Sequence, residues 1–147
     1  MKKIFIALTV SALCAGAQAQ QPVVDNRIPS AAQQQFNNMY TGSSNAQWWT
    51  NNNMYQVSFT LNNIRQQVNY DSTGSMLYTG VEIKQTELPP GVAASFKSAY
   101  TNRTMMEIYK LDRKGVTSYM VKLDGSPATR LYFDAEGKLV TDKLLGW

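Results

Sequence analysis

One short pattern, an aspartate followed three residues later by a glycine between two apolar runs, constrains the fold of this chain more than any other feature. It occurs as Asp71–Gly74 and again, 63 positions later, as Asp134–Gly137. The aspartate side chain can accept hydrogen bonds from the turn backbone, and glycine adopts the positive φ that closes a type I turn with a bulge. Each copy therefore predicts a β-hairpin, and the recurrence predicts two copies of one folding unit.

A helical pattern precedes the strands of each unit. In the first unit, Ser30 is expected to cap the helix, and Gln33 three residues later would complete a capping box. In the second unit, Pro89-Pro90 suits the first turn of a helix, where no internal hydrogen bond is lost. Both helices carry the same aromatic pair at the same spacing, Phe36 with Tyr40 and Phe96 with Tyr100.

Four strand candidates follow each helix, identified by apolar and polar residues in alternation. They are 46–50, 54–61, 64–70 and 76–83 in the first unit, and 105–111, 118–123, 129–133 and 139–145 in the second. Short connections predict antiparallel pairing, and one helix cannot cover a sheet of this width. We therefore predict an α+β fold of two tandem helix-plus-antiparallel-sheet repeats, 28–85 and 86–147, with the helices on one face of a shared sheet and the other face open to solvent.

The first 19 residues are typical of a secretory signal peptide. Lys2 and Lys3 precede an apolar run, 4–16, that is short for a bilayer, and Ala17-Gln18-Ala19 matches a cleavage site. A retained membrane anchor is the alternative. Cleavage would remove the only cysteine, leave 12 basic and ten acidic residues, and be followed by a flexible leader, 20–27. The mature chain is then expected in the periplasm or secreted, with no membrane span and no disulfide.

Several kinds of chemistry lack their residues in this sequence. The chain has no histidine, and after cleavage it would have no cysteine, which excludes His- and Cys-dependent nucleophiles and metal ligands. The longest basic run is Arg113-Lys114, so nucleic acid is a poor partner. Asp71 and Asp134 are interpreted as turn formers, because one or two carboxylates fall short of the six to eight oxygen ligands of calcium. We therefore predict a protein that is not an enzyme and has neither cofactor nor metal site.

The order of helix, strands, Asp-x-x-Gly hairpin and Leu-Pro before a second helix carries a resemblance over nearly the whole mature chain. The residues concerned are 46–49, 55–59, 71–74, 88–89, 96–100 and 131–139. In this order they resemble the PepSY-like family of small exported bacterial proteins, whose fold is similar to that of the β-lactamase inhibitor protein. The resemblance implies tandem α+β repeats and a periplasmic location. It implies no catalytic residue, because no enzymatic motif is matched.

The adjacent Trp48 and Trp49 are the most suggestive candidates for a binding site. Neighbouring strand residues face opposite ways, so one tryptophan can enter the core while the other lies on the open face. The residues alone leave the register open, and the family resemblance favours Trp49 inside; packing of Trp48 under a loop or against the leader is the alternative. With Trp48 on the open face, the candidate surface comprises Trp48, Gln56, Ser58, Gln67 and Asn69 of the first repeat and Met120, Lys122, Arg130 and Tyr132 of the second.

Aromatic and arginine side chains within a polar field have the composition of a protein-binding hot spot. The sequence therefore predicts an exported protein-binding module, an inhibitor included, whose partner is an unidentified exported or envelope protein. A carbohydrate-binding or envelope-binding module is the alternative, because tryptophan can stack on a sugar ring while amides bond its hydroxyls. An enzymatic interpretation would require two facing carboxylates in a cleft.

Overall fold

The described residues form two α-helices and eight strands, and from α1 to β8 these follow the order predicted from the sequence. The computed structural model describes residues 21–23, 27–126 and 128–140. The helices are α1 (Ser30–Met39) and α2 (Pro90–Ala99). The strands are β1 (Gln21–Pro22), β2 (Ser44–Asn51), β3 (Met54–Leu61), β4 (Ile64–Tyr70), β5 (Met76–Glu82), β6 (Met105–Arg113), β7 (Val116–Leu123) and β8 (Thr129–Asp134).

Both ends of the chain extend beyond this description. The predicted signal peptide, 1–19, lies outside the described residues, as do residues 20 and 24–26 of the predicted leader. Gln21–Pro22, expected in a flexible leader, instead forms an edge strand paired with Trp49 and Thr50 of β2. Of the last predicted strand, Leu139 bridges to Phe133 and the Val140 N–H donates to the Tyr132 carbonyl at 2.7 Å, whereas 141–145 lie outside the described residues.

All eight strands form one antiparallel sheet in chain order, which confirms the predicted fold class. Paired residues share a face of a sheet, and alternate residues along a strand return to it. From Val68 on β4, the pairing leads through Thr79 to Asp112 on β6, and hence to Ile108 on the same face. Val68 belongs to the core under α1 and Ile108 to the core under α2, so both helices cover one face.

Each helix buries its apolar stripe against its own half of the sheet. Ala32 and Phe36 of α1 pack on inward residues of β3 and β4, and Val92 and Phe96 of α2 pack on β6, β7 and β8. The inward residues are those predicted from alternation, namely Val57, Phe59, Val68 and Tyr70 in the first repeat and Tyr119, Val121 and Leu123 in the second.

The capping box predicted at the start of α1 is wrong. Ser30 is the first helical residue, and Pro29 precedes it without any side-chain cap; its carbonyl accepts the Gln33 N–H at 3.1 Å. Pro89 stands in the same place before α2. Proline fixes φ near −65°, so it sets the direction from which the chain enters each helix. The preceding apolar residues, Ile28 and Leu88, are buried in the two cores and anchor that entry.

The two Asp-x-x-Gly turns have the predicted geometry. Asp71 Oδ1 accepts the N–H groups of Thr73 and Ser75 at 2.8 and 3.0 Å. Asp134 Oδ1 accepts the corresponding N–H groups of residues 136 and 138 at 3.1 and 2.8 Å. The glycine of each turn lies against the first turn of its own helix, Gly74 beside Ala31 and Gly137 beside Gly91. Hairpin and helix are thus in direct backbone contact in both repeats.

Candidate binding site on the open face of the sheet

A cavity of about 160 Å³ opens on the sheet face opposite the helices, and seven strands, β2 to β8, contribute to its lining. Strands in a sheet lie about 4.8 Å apart, so β2 and β8 of a flat sheet would be separated by about 29 Å. A cavity of this volume cannot touch both strands unless the sheet curls around it. The open face is therefore concave, and it brings the two repeats together around one site.

Seven of the nine predicted surface residues line this cavity. They come from both repeats: Gln56, Ser58, Gln67, Met120, Lys122, Arg130 and Tyr132. The lining also contains Trp49, which was expected inside the core, and four residues that the sequence did not single out, Arg65, Tyr78, Glu107 and Tyr109. Trp48 and Asn69 are not part of it.

The placement of Trp48 on the open face is wrong, and so is the expectation that Trp49 is the inner tryptophan. Trp48 pairs with Val57 and packs beneath α1, with its ring 5.7 Å from Phe36 and 5.8 Å from Tyr70. Trp49 pairs with Gln56 and lines the cavity. The register follows from the two-residue turn between β2 and β3.

That turn consists of Asn52 and Asn53, whose φ angles of 48° and 61° are both positive. Two central residues with positive φ characterise the type I′ hairpin, for which asparagine is well suited. A two-residue loop makes Asn51 the partner of Met54, and counting back from that pair places Trp48 opposite Val57. The Asn-Asn pair is thus the sequence signal that identifies the tryptophan on the open face.

The candidate residues are also more buried than a solvent-exposed face would allow. Gln56, Gln67, Asn69, Met120 and Tyr132 are all buried. The reason is curvature, because side chains on the inside of a curled sheet converge. An apolar cluster forms on this face from Tyr78 of the first repeat and Tyr109, Leu111, Met120 and Tyr132 of the second, so the second-repeat side of the site is largely apolar.

Amide side chains form the first-repeat side of the site. Gln56 Nε2 donates to Gln67 Oε1 across the β3–β4 pair. Asn69, opposite Gln56 in the register, is 0 % exposed, and neither of its side-chain polar atoms has a hydrogen-bond partner in the described part of the chain. Leaving a buried polar group unpaired costs about 1–3 kcal/mol. The buried, unpaired amide of Asn69 therefore lowers the stability of the fold, at a position next to the cavity.

Basic residues outnumber acidic ones in the lining. Lys122 lies between Glu107 on β6 and Arg130 on β8 in the register, and its Nζ is 2.7 Å from Glu107 Oε1. Arg65 contributes a further positive charge from β4. Burial raises the pKa of Tyr109 to about 12, against the opposing effect of Arg65, so this phenol is a neutral hydroxyl at physiological pH.

Other kinds of site have little support in the described residues. Across 21–23, 27–126 and 128–140, no group of three or more Asp, Glu, His or Cys side chains is placed to hold a metal ion. Among the described residues that line the cavity, Glu107 is the one carboxylate, and it is held by Lys122. No helix in this part of the chain has the length and apolar character needed to cross a membrane.

The fold is a curled eight-stranded antiparallel sheet with two helices on its outer side and a mixed polar and aromatic cavity on its inner side. It defines a duplicated α+β protein with a concave face. The chain belongs to the family described as "Putative beta-lactamase-inhibitor-like, PepSY-like", whose model matches residues 17–78 and again 53–141. This confirms the resemblance read from the order of elements.

Solved structures with the same fold come from Bacteroides species. A DUF2874 family protein from Bacteroides ovatus is 20 % identical with a TM-score of 0.59, over 77 % of this chain and 84 % of that one. A structure from Bacteroides eggerthii, described as "putative periplasmic proteins", is 13 % identical with a TM-score of 0.62, over 76 % and 85 %. A BLIP-like protein from Bacteroides fragilis is 23 % identical with a TM-score of 0.54, over 77 % and 83 %. No curated protein matches the chain.

Proposed function

We propose that this protein is an exported, periplasmic binding module without enzymatic activity, which holds another protein against its concave sheet face. The observation that carries the proposal is the convergence of side chains from seven strands and both repeats on one cavity. Periplasmic location is supported by the signal-like N-terminus and by the description of the relative from Bacteroides eggerthii.

The composition of the concave face supports binding of a protein. Trp49, Tyr132 and Arg130 belong to the residue types that dominate binding energy at protein interfaces, and Met120 is of a type enriched there. They lie on β2, β7 and β8 and are already partly or wholly buried, so little side-chain entropy remains to be lost on association. Inhibition, to which the name of the Bacteroides fragilis relative alludes, is one form that such binding could take, but fold alone does not imply it.

Site-specific photo-crosslinking tests this function directly. We expect a benzophenone amino acid at Ser58, in the cavity lining, to give discrete crosslinked species in the native periplasm. The same group at Ala94, exposed on α2, serves as the control and should not give them. Trp49→Ala should weaken the Ser58 crosslinks, whereas Val116→Ala, at a residue 69 % exposed outside the cavity, should not. Identical crosslinks from both positions would show that the concave face is not the binding surface.

Carbohydrate binding is the second candidate, favoured by the position of Trp49 beside the amides of Gln56 and Gln67. An indole can stack on a sugar ring while amides bond its hydroxyls. The cavity is smaller than the 300–1,000 Å³ typical of sites for whole small molecules, so a glycan would have to lie across the rim. Titration of cell-wall fragments against tryptophan fluorescence, with Trp49→Phe as the assignment control, separates the two candidates. A saturable shift that Trp49→Phe abolishes would favour the glycan.

A further inference from the structure

Two buried hydrogen-bond donors in the lining of the concave cavity are not used by the described part of the fold. Gln67 is 6 % exposed and Tyr109 is 3 % exposed, and both line the cavity. Gln67 Oε1 accepts a hydrogen bond from Gln56, but Gln67 Nε2 donates to no described residue. The Tyr109 hydroxyl has no hydrogen-bond partner among these residues either. Because both side chains are closed to solvent except through the cavity, a group that enters the cavity is what they can bond.

Gly80 allows the two donors to share one space. Gln67 on β4, Gly80 on β5 and Leu111 on β6 are successive partners across the sheet, and Tyr109 lies on the same face two residues from Leu111. A Cβ on Gly80 would lie 2.8 Å from Gln67 Cγ and 3.0 Å from Gln67 Nε2, so the amide lies over β5. Its Oε1 is held by Gln56 on the β3 side, which leaves Nε2 directed toward β6. Tyr109 lies on the far side of that space.

Aromatic rings form much of the wall around these donors. Trp49, Tyr78 and Tyr132 line the same cavity, and the two tyrosines belong with Tyr109 to the apolar cluster of this face. The cavity measures about 160 Å³, whereas sites for whole small molecules measure about 300–1,000 Å³. It therefore suits one inserted residue, with the remainder of a longer ligand lying along the concave face.

The chemistry of the donors indicates which residue fits. Two donors that face one space require an acceptor, and a peptide carbonyl oxygen has two lone pairs with which it can accept from both. Most residues would bring a backbone N–H into the cavity as well, and that N–H would need an acceptor of its own. Proline brings a carbonyl without an N–H. Segments in the polyproline II conformation have no internal hydrogen bonds, and they dock into grooves lined by aromatic residues.

We propose that the cavity binds a proline-containing extended segment of the partner protein. The proline ring packs between the aromatic side chains, and the proline carbonyl accepts hydrogen bonds from Gln67 and Tyr109. This inference rests on the proposed function, since it names the chemistry by which the concave face recognises its partner.

A displayed library of random linear peptides, selected on the purified protein, provides the test. Selected peptides should share a proline at one position. Changing it to alanine in a synthetic peptide should weaken binding about tenfold or more, because the ring contact and the preset φ are both lost. Replacing the carbonyl oxygen of that proline with sulfur, a weaker acceptor, should weaken binding about two- to tenfold, the range for a hydrogen bond between neutral groups.

Variants of the two donors connect this loss to the cavity. Tyr109→Phe removes only a hydroxyl, so it should keep a cooperative thermal transition and lose about the same two- to tenfold factor in binding. In Tyr109→Phe, the sulfur-containing peptide should bind little worse than the unmodified one. Gln67→Glu keeps the oxygen that Gln56 uses but replaces the donor with an acceptor, and it should weaken binding more than Tyr109→Phe does. Tyr119→Phe is the matched control, because Tyr119 is buried under α2 on the opposite face, and it should bind the peptides as the wild type does.

The failures of the two proposals are distinguishable. Peptides that require Trp49 but share no proline would overturn the proline site and leave the concave face as the binding surface. Equal effects of Tyr109→Phe and Tyr119→Phe would also overturn it. A library that yields no binding peptide would overturn the proline site too, while the Ser58 crosslinks test the concave face independently. Saturable binding of cell-wall fragments that Tyr109→Phe weakens, without peptide binding, would assign the same donors to a glycan. Peptides whose binding ignores both Trp49→Ala and Tyr109→Phe would count against the concave face itself.

Discussion

Gly91 in the first turn of α2 is a position where helix propensity and packing should have opposite effects on stability. Alanine is a better helix former than glycine by about 1 kcal/mol. A Cβ on Gly91 would, however, lie 2.3 Å from the carbonyl oxygen of Glu136 and 2.8 Å from its carbon. These are backbone atoms of the Asp134–Gly137 turn, so no side-chain rotation can relieve the contact. The turn or the helix would have to move.

The magnitude follows from these two terms. Overpacking a close contact costs typically about 1–3 kcal/mol, and a clash with backbone belongs at the upper end of that range. After subtraction of the propensity gain, we expect Gly91→Ala to lower the free energy of unfolding by about 1–2 kcal/mol. For a domain of this size that corresponds to a fall in Tm of roughly 4–8 °C.

Two control variants isolate the terms. Ala31 occupies the equivalent position of α1 and already carries a Cβ, so Ala31→Gly should destabilise chiefly through propensity, by about 1 kcal/mol, with the loss of the Cβ contact beside Gly74 added to it. Ser98→Ala, at an exposed position of α2, should change stability by only a few tenths of a kcal/mol. Urea unfolding followed by circular dichroism, with the m-value checked for constancy, measures all three. An unfolding midpoint for Gly91→Ala at or above that of the wild type would refute the reasoning.

Four further predictions concern single side chains. Asn69→Leu should raise the free energy of unfolding by about 1 kcal/mol or more, because it removes two unpaired buried polar atoms at nearly constant volume; a lower urea midpoint would show that the amide is satisfied. The pKa of Tyr109 is raised to about 12 from an ordinary 10.0, chiefly by burial, so its contribution to stability should be constant below pH 10 and be lost as the pH rises through 12. When tyrosine ionisation is followed by absorbance at alkaline pH, Tyr109→Phe should show one late-titrating tyrosine fewer than the wild type. The pKa of Asp71 is held below its usual 3.8, first by the hydrogen bond from the Thr73 hydroxyl. The contribution of Asp71 to stability is therefore present above pH 3.8 and is lost as the pH falls below it. Asp71→Asn should accordingly make the fall in stability at acid pH less steep. Trp48→Ala should reduce stability more than Trp49→Ala, because Trp48 packs in the core under α1, and equal losses would contradict the assigned register.

Local patterns predicted the secondary structure well. The bounds of β3 and β4 were predicted as observed, because Asn62-Asn63 marks their turn and alternation runs through both strands. The capping box failed because Ser30 is a plausible cap by type, whereas the structure uses the proline before it. Trp48 was misplaced because the two-residue turn at Asn52-Asn53 was not recognised, and a shift of one residue exchanges the two faces of a strand.

The candidate site was predicted in part. Gln56, Ser58 and Gln67 follow from alternation within one hairpin, and Met120, Lys122, Arg130 and Tyr132 follow from alternation within another. Their union in one cavity depends on β5 pairing with β6, strands that α2 separates in the sequence. No local pattern reveals that pairing. The pairing of β5 with β6 also explains why Tyr78 and Tyr109, which lie on these two strands, were missing from the predicted site.

The amino-acid sequence by itself determined the duplication, the helices, the hairpin turns and the order of strands, because each depends on residues close together in the chain. Only the tertiary structure decided how strongly the sheet curls. At its centre Gly80 has no side chain, and a Cβ there would lie 2.8 Å from atoms of Gln67 and Leu111. The concave face can close around its cavity because side chains from distant strands share that space. This close packing of side chains involves several strands at once, so it cannot be predicted from the residue pattern along any single strand.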